Sequence, residues 1–217
     1  ALFADWAILG PSLWVTLKIT FVALALAVAG GVGLALALDS ARWLERGLLP
    51  LAVILQVTPI VAIAPILLVW LEPSTAVLIC AFLVAFFPIL SNTALGLAST
   101  DRGLMELFAL YRAGRWQTLW RLRLPAALPA FLGGLRIAGG LALIGAVVGE
   151  LAAGAAGQGS GLAFRISEAG YRANVPRMFA ALLLISLAGL AIHAATSLIS
   201  HVLLRRWHES ARGLDMH

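Results

Sequence analysis

The sequence predicts an all-α integral membrane protein with about five transmembrane helices. Of its 217 residues, 62% are hydrophobic and only 12% are charged, and the mean hydropathy is +1.00. Soluble domains carry about a quarter charged residues. The long apolar runs are continuous and rich in leucine and alanine, whereas the strands of a membrane β-barrel alternate apolar and polar residues. Helices are therefore expected to cross the membrane.

Five apolar runs are long enough for a span, which needs about 20 predominantly apolar residues. They cover roughly residues 13–38, 48–71, 76–97, 130–153 and 178–204. Cys80 is the only cysteine, so an intrachain disulfide is excluded.

The basic residues predict the orientation of these spans. With the N-terminus outside, the cytoplasmic segments are 39–47, 98–129 and a tail from about 205 to 217. These segments hold ten arginines: Arg42, Arg46, Arg102, Arg112, Arg115, Arg121, Arg123, Arg205, Arg206 and Arg212. The opposite side has only Arg165, Arg172 and Arg177, with Lys18 near the outer edge of the first span. The excess of positive charge favours the cytoplasm, which places the N-terminus outside and the C-terminus inside. The same distribution argues against a nucleic-acid partner, despite a net charge of +5.

The segment 98–129 is predicted to contain a short amphipathic helix. Asp101 is a suitable N-cap, and Leu104, Phe108 and Tyr111 share one face at helical spacing. Arg102 and Glu106 have the spacing of an i,i+4 ion pair, and Gly114 permits a bend. Leu124-Pro125 is expected to restrict the chain before the next span. From these residues alone, a surface loop that only sets topology and a docking element are equally good interpretations.

The order of residues in this segment resembles the cytoplasmic EAA loop of permease subunits of bacterial ABC importers. The family pattern is Glu-Ala-Ala, three residues, Gly, nine residues, Ile, one residue and Leu-Pro. Counted back from Pro125, Glu106 occupies the Glu position. Leu107 and Phe108 replace the alanines, Arg112 replaces the glycine and Leu122 replaces the isoleucine.

Further motifs along the chain resemble the nitrate/sulfonate/taurine-type branch, which also includes permeases for pyrimidine and vitamin precursors. They are Pro-Ser-Leu-Trp-Val-Thr-Leu from Pro11, Thr58 to Pro65, Phe86 to Thr93, Gly134 to Ala138, Val148 to Leu151 and Phe179 to Leu182. Members of this branch usually have six spans, so the first is either missing or dispensable here.

The resemblance implies a single permease domain over residues 1–217, in a bacterial inner membrane. It would form the pathway for a small solute such as a sulfonate, nitrate or a pyrimidine-like vitamin precursor. The implied partners are two copies of an ABC ATPase, a periplasmic or lipid-anchored binding protein, a second permease copy in a homodimer, and membrane lipid. This chain would be non-catalytic and bind no cofactor or metal, with ATP and magnesium held by the ATPase. The residues expected to couple to that ATPase are Leu104, Glu106, Phe108, Tyr111, Arg112, Gly114, Leu124 and Pro125.

Candidate pathway residues are polar, charged or helix-distorting residues within the predicted spans. They are Gln56, Thr58, Pro59, Asn92, Thr93, Arg136 and Glu150. Such residues also serve in packing between helices, and for Arg136 and Glu150 a salt bridge or an interfacial position is the alternative. The glycines Gly139, Gly140, Gly145 and Gly149 predict close helix packing, either within the chain or at a dimer seam.

The glycine-rich stretch and the transport function each have an alternative interpretation. The glycine-rich stretch 154–161 lacks the Lys-Ser/Thr of a phosphate loop, and it is expected to be an outer turn, as a docking point for a binding protein or as a plain loop. A self-contained secondary transporter or channel is the alternative function, although such transporters commonly carry inverted repeats and no internal repeat is visible here.

Overall fold

The computed structural model describes residues 2, 4–40, 54, 58–154 and 160–205, and in these ranges the regular structure is entirely helical. In chain order the helices are α1 (Trp6–Ser40), α2 (Ile60–Trp70), α3 (Pro73–Ala98), α4 (Arg102–Leu110), α5 (Arg115–Thr118), a π-helical turn (Leu119–Arg123), α6 (Leu124–Ala153), α7 (Leu162–Tyr171) and α8 (Val175–Leu204).

Four stretches of the described chain are long and apolar enough to cross a membrane: Trp6–Ser40, Pro73–Ala98, Arg115–Ala153 and Val175–Leu204. They correspond to the predicted first, third, fourth and fifth spans. The predicted second span, 48–71, is described only at Ile54 and from residue 58. Its helix α2 has 11 residues, which cover about 16 Å, roughly half the hydrocarbon core. The rest of that span lies outside the described residues, so the fifth crossing stays a prediction.

The fourth span begins earlier than the sequence predicted. Leu124 and Pro125 were expected to precede it, but α6 starts at Leu124 and contains both Pro125 and Pro129. In the preceding π-helical turn the Leu124 N–H bonds to the carbonyl of Leu119. A proline inside a helix clashes with the carbonyl four residues earlier, and the wider π turn leaves room for the ring of Pro125.

The centre of the fold is an antiparallel contact between α3 and α6 in which the two backbones approach closely. A Cβ on Gly145 would come within 2.8 Å of the Ala81 Cα, and one on Gly134 within 2.7 Å of the Pro88 carbonyl oxygen. Lipid gives no hydrophobic drive for helix association, so small residues that maximise van der Waals contact are favoured. The close packing expected at Gly145 and Gly149 is confirmed, with α3 of the same chain as partner, and Gly139 packs against α8. Within this chain the expectation was wrong for Gly140, where a Cβ would meet nothing within 4 Å.

The remaining spans pack around this pair. The α1 helix contributes Leu24 and Ala27 to a buried cluster with Ala85 and Ile89 of α3. The α8 helix packs Ile192 against Leu143 of α6.

The contacts define two ends of the bundle. We call the end where the C-termini of α1 and α3 meet the start of α6 the α4 end. The other, where the start of α1 meets the end of α6, is the α7 end. This alternation agrees with the arginine distribution, which predicts that the α4 end is cytoplasmic.

Candidate functional site

The connection between α3 and α6 begins with a capped helix. The Asp101 carboxylate accepts a hydrogen bond from the Leu104 N–H at 2.9 Å, so the predicted N-cap of α4 is confirmed. None of the residues of α4 is buried. The helix therefore projects from the α4 end with its side chains available to another molecule.

Apolar residues dominate the exposed surface of this connection. Leu104, Leu107, Leu110 and Tyr111, which we call the apolar patch, are exposed by 46%, 43%, 81% and 80%. Of the residues expected on this face, Leu104 is exposed, Phe108 is half-buried and Tyr111 is exposed as the C-cap of the helix. Leu107 and Leu110 were missed, although the sequence shows leucines at successive three-residue intervals from Leu104. Contiguous exposed apolar surface commonly marks a protein interaction site.

Arg112 has the backbone conformation that normally requires glycine. Its φ is +52°, in the left-handed region. The Arg112 N–H donates to the Ala109 carbonyl and the Ala113 N–H to the Phe108 carbonyl, both at 2.9 Å. These two bonds form a Schellman motif, in which glycine is the usual residue at this position. Arg112 is also where the EAA pattern has its glycine, so the backbone keeps the turn although the residue has changed.

Two other expectations for this segment concern Gly114 and the ion pair between Arg102 and Glu106. Gly114 is the N-cap of α5 with φ −66°, and a Cβ there would meet nothing within 4 Å, so the turn does not depend on it. The expected ion pair between Arg102 and Glu106 is absent among the described residues. Both are exposed, and a water-exposed pair of this spacing contributes only about 0.3–0.5 kcal/mol.

The end of this connection is tied to two other helices. The guanidinium of Arg123 forms a two-pronged ion pair with the carboxylate of Asp39, in the last turn of α1. It also donates to the Leu97 carbonyl of α3 at 3.1 Å. A cavity of about 810 Å³ lies between α1 and the connection, with Asp39, Met105 and Arg123 in its wall. The sequence analysis assigned Arg123 to topology alone.

Three of the candidate pathway residues bond to nearby backbone carbonyls. The Thr58 hydroxyl donates to the Ile54 carbonyl at 2.8 Å, and the buried Thr93 hydroxyl donates to the Ile89 carbonyl at 2.6 Å. The Asn92 amide donates to the Pro88 carbonyl at 2.9 Å. In all three, a polar side chain is satisfied by its own backbone.

Two other candidates are exposed, and a third is not described. Pro59 is exposed and precedes α2, Arg136 is exposed on α6, and Gln56 lies outside the described residues.

Glu150 occupies the best-defined polar site at the α7 end. Its side chain is only 5% exposed, and its carboxylate accepts hydrogen bonds from the Thr16 hydroxyl at 2.8 Å and the Ala163 N–H at 3.0 Å. The Leu162 N–H donates to the Thr16 oxygen at 2.9 Å. Leu162 and Ala163 are the first residues of α7, so the carboxylate and hydroxyl together cap that helix from outside. Negative charge is stabilising at a helix N-terminus.

The approach of α7 to this carboxylate is close. A Cβ on Gly161 would lie 1.9 Å from the Glu150 Oε1, so a side chain at that position would displace the carboxylate. Glu150 and Lys18 also line a mainly apolar cavity of about 390 Å³ between α1, α3 and α7.

Charged residues of α7 and α8 extend the network. Arg165 donates to the Ser12 hydroxyl at 3.0 Å and pairs with Glu168 at 2.8 Å, and Arg177 pairs with Asp5 at 2.6 Å. The hydrogen bond from Arg165 lowers the pKa of the Glu168 carboxyl, against the opposing effect of partial burial. The hydrogen bond from Arg177 likewise lowers the pKa of Asp5. Both carboxylates are therefore charged at neutral pH.

Sequence reasoning missed the α1 side of this network. Ser12, Thr16 and Thr20 follow one another at four-residue spacing, and all three are fully buried. Residues four apart lie on the same helix face, so this polar stripe in an otherwise apolar helix was the signal that could have revealed it.

Replacing Glu150 by Leu is expected to lower the stability of the α7 end. A leucine accepts neither hydrogen bond, so the buried Ala163 N–H loses its acceptor, at a cost of about 1–3 kcal/mol. Hydrogen exchange of the protein in detergent should show faster exchange at Leu162 and Ala163 and unchanged exchange in α4. Unaltered protection at α7 would contradict the capping role.

Replacing Arg112 by Gly is expected to stabilise the end of α4. Relief of the left-handed strain gives up to about 1 kcal/mol, which would slow amide exchange near Ala113 roughly fivefold. Arg112→Ala is the matched control, because it removes the same charge but keeps the strained backbone. Equal protection in the two variants would show that charge, and not conformation, governs this turn.

The comparisons with known proteins agree with this architecture. Residues 27–208 match the family model described as "binding-protein-dependent transport system inner membrane component". Among solved structures, the chain resembles that of the inward-facing MetNI methionine ABC transporter, with a TM-score of 0.76 over 92% of this chain and 97% of that one. The two sequences are 21% identical, so this likeness bears on the fold.

Two curated relatives are similar in sequence. The riboflavin transport system permease protein RibX of Chloroflexus aurantiacus is 37% identical over 78% of this chain and 62% of its own length. The formylaminopyrimidine transport permease protein ThiX of Halalkalibacterium halodurans is 38% identical over 87% of this chain and 74% of its own length. The chain belongs to the family of inner membrane components of binding-protein-dependent transport systems, the permease subunits of ABC importers.

Proposed function

We propose that α4 and its apolar patch dock on a separate ABC ATPase, which supplies the energy for transport through this permease. The observation that carries the proposal is the exposure of Leu104, Leu107, Leu110 and Tyr111 on a helix that buries none of its residues. Neither the fold nor the packing of the spans requires apolar side chains there. Glu106 is exposed beside them and is available to a cationic side chain of the ATPase.

Two copies of the permease enclose the pathway in this proposal. Arg136 is exposed and lies 12 residues, or about 18 Å, after the start of α6. A charged side chain near the bilayer centre costs roughly 2.5–3.5 kcal/mol on insertion scales, and such residues usually face protein or a water-filled cavity. A second copy of the permease provides such protein surroundings. The two permease copies then bind two ATPase subunits.

The α4 end faces the cytoplasm and the α7 end faces the binding protein. The support for this orientation is the arginine distribution, since segments at the α4 end hold most of the basic residues. ATP and magnesium belong to the ATPase, and this chain contributes no catalytic residue to hydrolysis.

The proposed cargo is a nitrogen heterocycle of the vitamin or vitamin-precursor type. The support is that relatives named for riboflavin and formylaminopyrimidine transport are 37% and 38% identical to this chain. Sulfonates and nitrate are the competing class.

Disrupting the apolar patch should prevent the ATPase from binding to the permease. In the wild type, gentle purification from the native membrane should recover a stoichiometric ATPase, identified by mass spectrometry. Leu110→Asp puts a charge on an 81% exposed leucine, so the fold should be kept while ATPase binding falls by at least tenfold, equivalent to about 1.4 kcal/mol. Gln117→Asp, an exposed residue of the neighbouring helix α5, adds the same charge without removing an apolar contact. Loss of the ATPase from both variants, or from neither, would contradict docking at the patch.

Uptake assays test the cargo class. Cells that express the permease with its ATPase and binding protein should take up labelled riboflavin or formylaminopyrimidine in an ATP-dependent manner. Labelled taurine and nitrate serve as the competing substrates. Uptake of only these two would overturn the heterocycle assignment and leave the coupling proposal intact.

A further inference from the structure

The displacement of α4 can reach the spans through two short links. Because α4 buries none of its residues, its main connections to the spans are covalent: residues 99–101 join it to α3, and α5 with the π-helical turn joins it to α6. The second link ends at Arg123, which donates to the Leu97 carbonyl in the last turn of α3. Both links therefore enter the spans next to this residue.

Arg123 joins the ends of three spans at this point. It lies at the start of α6, its two terminal nitrogens hold the Asp39 carboxylate of α1, and one of them also holds the Leu97 carbonyl of α3. A cation is favourable at a helix C-terminus, where both Asp39 and Leu97 lie. The side chains of Arg123 and Asp39 are each about one-fifth exposed, so water screens the pair only in part.

An apolar layer lies under the ion pair. Ala35, Leu38, Leu97 and Ala127 from the same three helices form a buried cluster. None of these contacts involves the ion pair, so we expect the bundle to assemble in variants that lack the pair.

We propose that Arg123 and Asp39 are positioning residues that transmit the displacement of α4 to α1 and α3. This inference rests on the proposed function, since it assumes that α4 is moved by an ATPase. The planar guanidinium binds a carboxylate in a fixed two-pronged geometry, whereas a lysine ammonium acts as a point charge. Because this geometry is fixed, a rotation of the start of α6 as well as a shift of it would move the end of α1.

The test uses the purified complex of the permease and its ATPase, and compares hydrogen exchange without nucleotide and with MgATP plus vanadate. In the wild type, exchange should change between the two states in α4 and at the ends of α1 and α3. In Arg123→Gln and Asp39→Asn, the change in α4 should remain, while the change at α1, of about fivefold in the wild type, should fall below about twofold. Arg121→Gln, an exposed arginine two residues earlier, is the matched control and should behave as wild type.

Two further variants separate transmission from simple stabilisation. Arg123→Lys keeps the charge but not the fork, and should restore only part of the nucleotide-dependent change at α1. The exchanged pair Arg123→Asp with Asp39→Arg should also recover part of it. A purely structural role would raise exchange at α1 equally in both nucleotide states.

The outcomes distinguish the two proposals. A full nucleotide response at α1 in Arg123→Gln, or an equal rise in both states, overturns the role of Arg123 while leaving ATPase docking in place. A wild-type permease that binds no ATPase overturns the proposed function, and the transmission proposal falls with it.

Discussion

The backbone contact between α3 and α6 is the constraint on which the rest of the structure depends. Gly134, Gly145 and Gly149 let the two helices approach until a Cβ would meet backbone atoms of α3. Hydrocarbon solvates leucine as well as a protein interior does, so close contact and not water exclusion holds spans together. Once α3 and α6 are paired along this line, α1 and α8 have defined surfaces against which to pack. The helix ends that carry charge are also brought into register.

Polar and charged side chains lie where the ends of these helices meet. At the α7 end, Glu150 takes up hydrogen bonds from α1 and from the first turn of α7. At the α4 end, Arg123 takes up the carboxylate of Asp39 and the C-terminus of α3. Polar groups that are removed from water are costly unless they are hydrogen-bonded, so each site favours the arrangement of helices that brings its partners together. Together they attach α1 to α6 at both ends and make α1, α3 and α6 a connected block, outside which α4 projects.

Two turns of the chain have the left-handed backbone conformation at residues other than glycine. Arg112 ends α4 and Ala173 ends α7, and both have positive φ, 52° and 53°. At the second turn the Asn174 N–H donates to the Ala169 carbonyl at 2.8 Å, which repeats the Schellman pattern. Asn174 then caps α8 by accepting from the Arg177 N–H at 3.2 Å. The turns connect their helices in four and three residues at the cost of local strain, so the positive φ does not require glycine in this chain.

Local rules made much of the fold predictable. The length and hydropathy that a bilayer demands predicted four described spans to within a few residues, except at the starts of α6 (Leu124) and α1 (Trp6). The N-cap at Asp101 followed from its residue type. The exposed face of α4 was only partly predictable, because the position of its end decided that Tyr111 lies beyond the helix.

The sequence by itself therefore determined the membrane class, the approximate spans, the short amphipathic helix α4 and the family. Only the tertiary structure decided which polar groups meet: Thr16 with Glu150, 134 positions apart, and Asp39 with Arg123, 84 positions apart. Such pairs depend on how each helix is rotated about its axis. A span that is apolar on every side carries little information about that rotation until the neighbouring helices are in place.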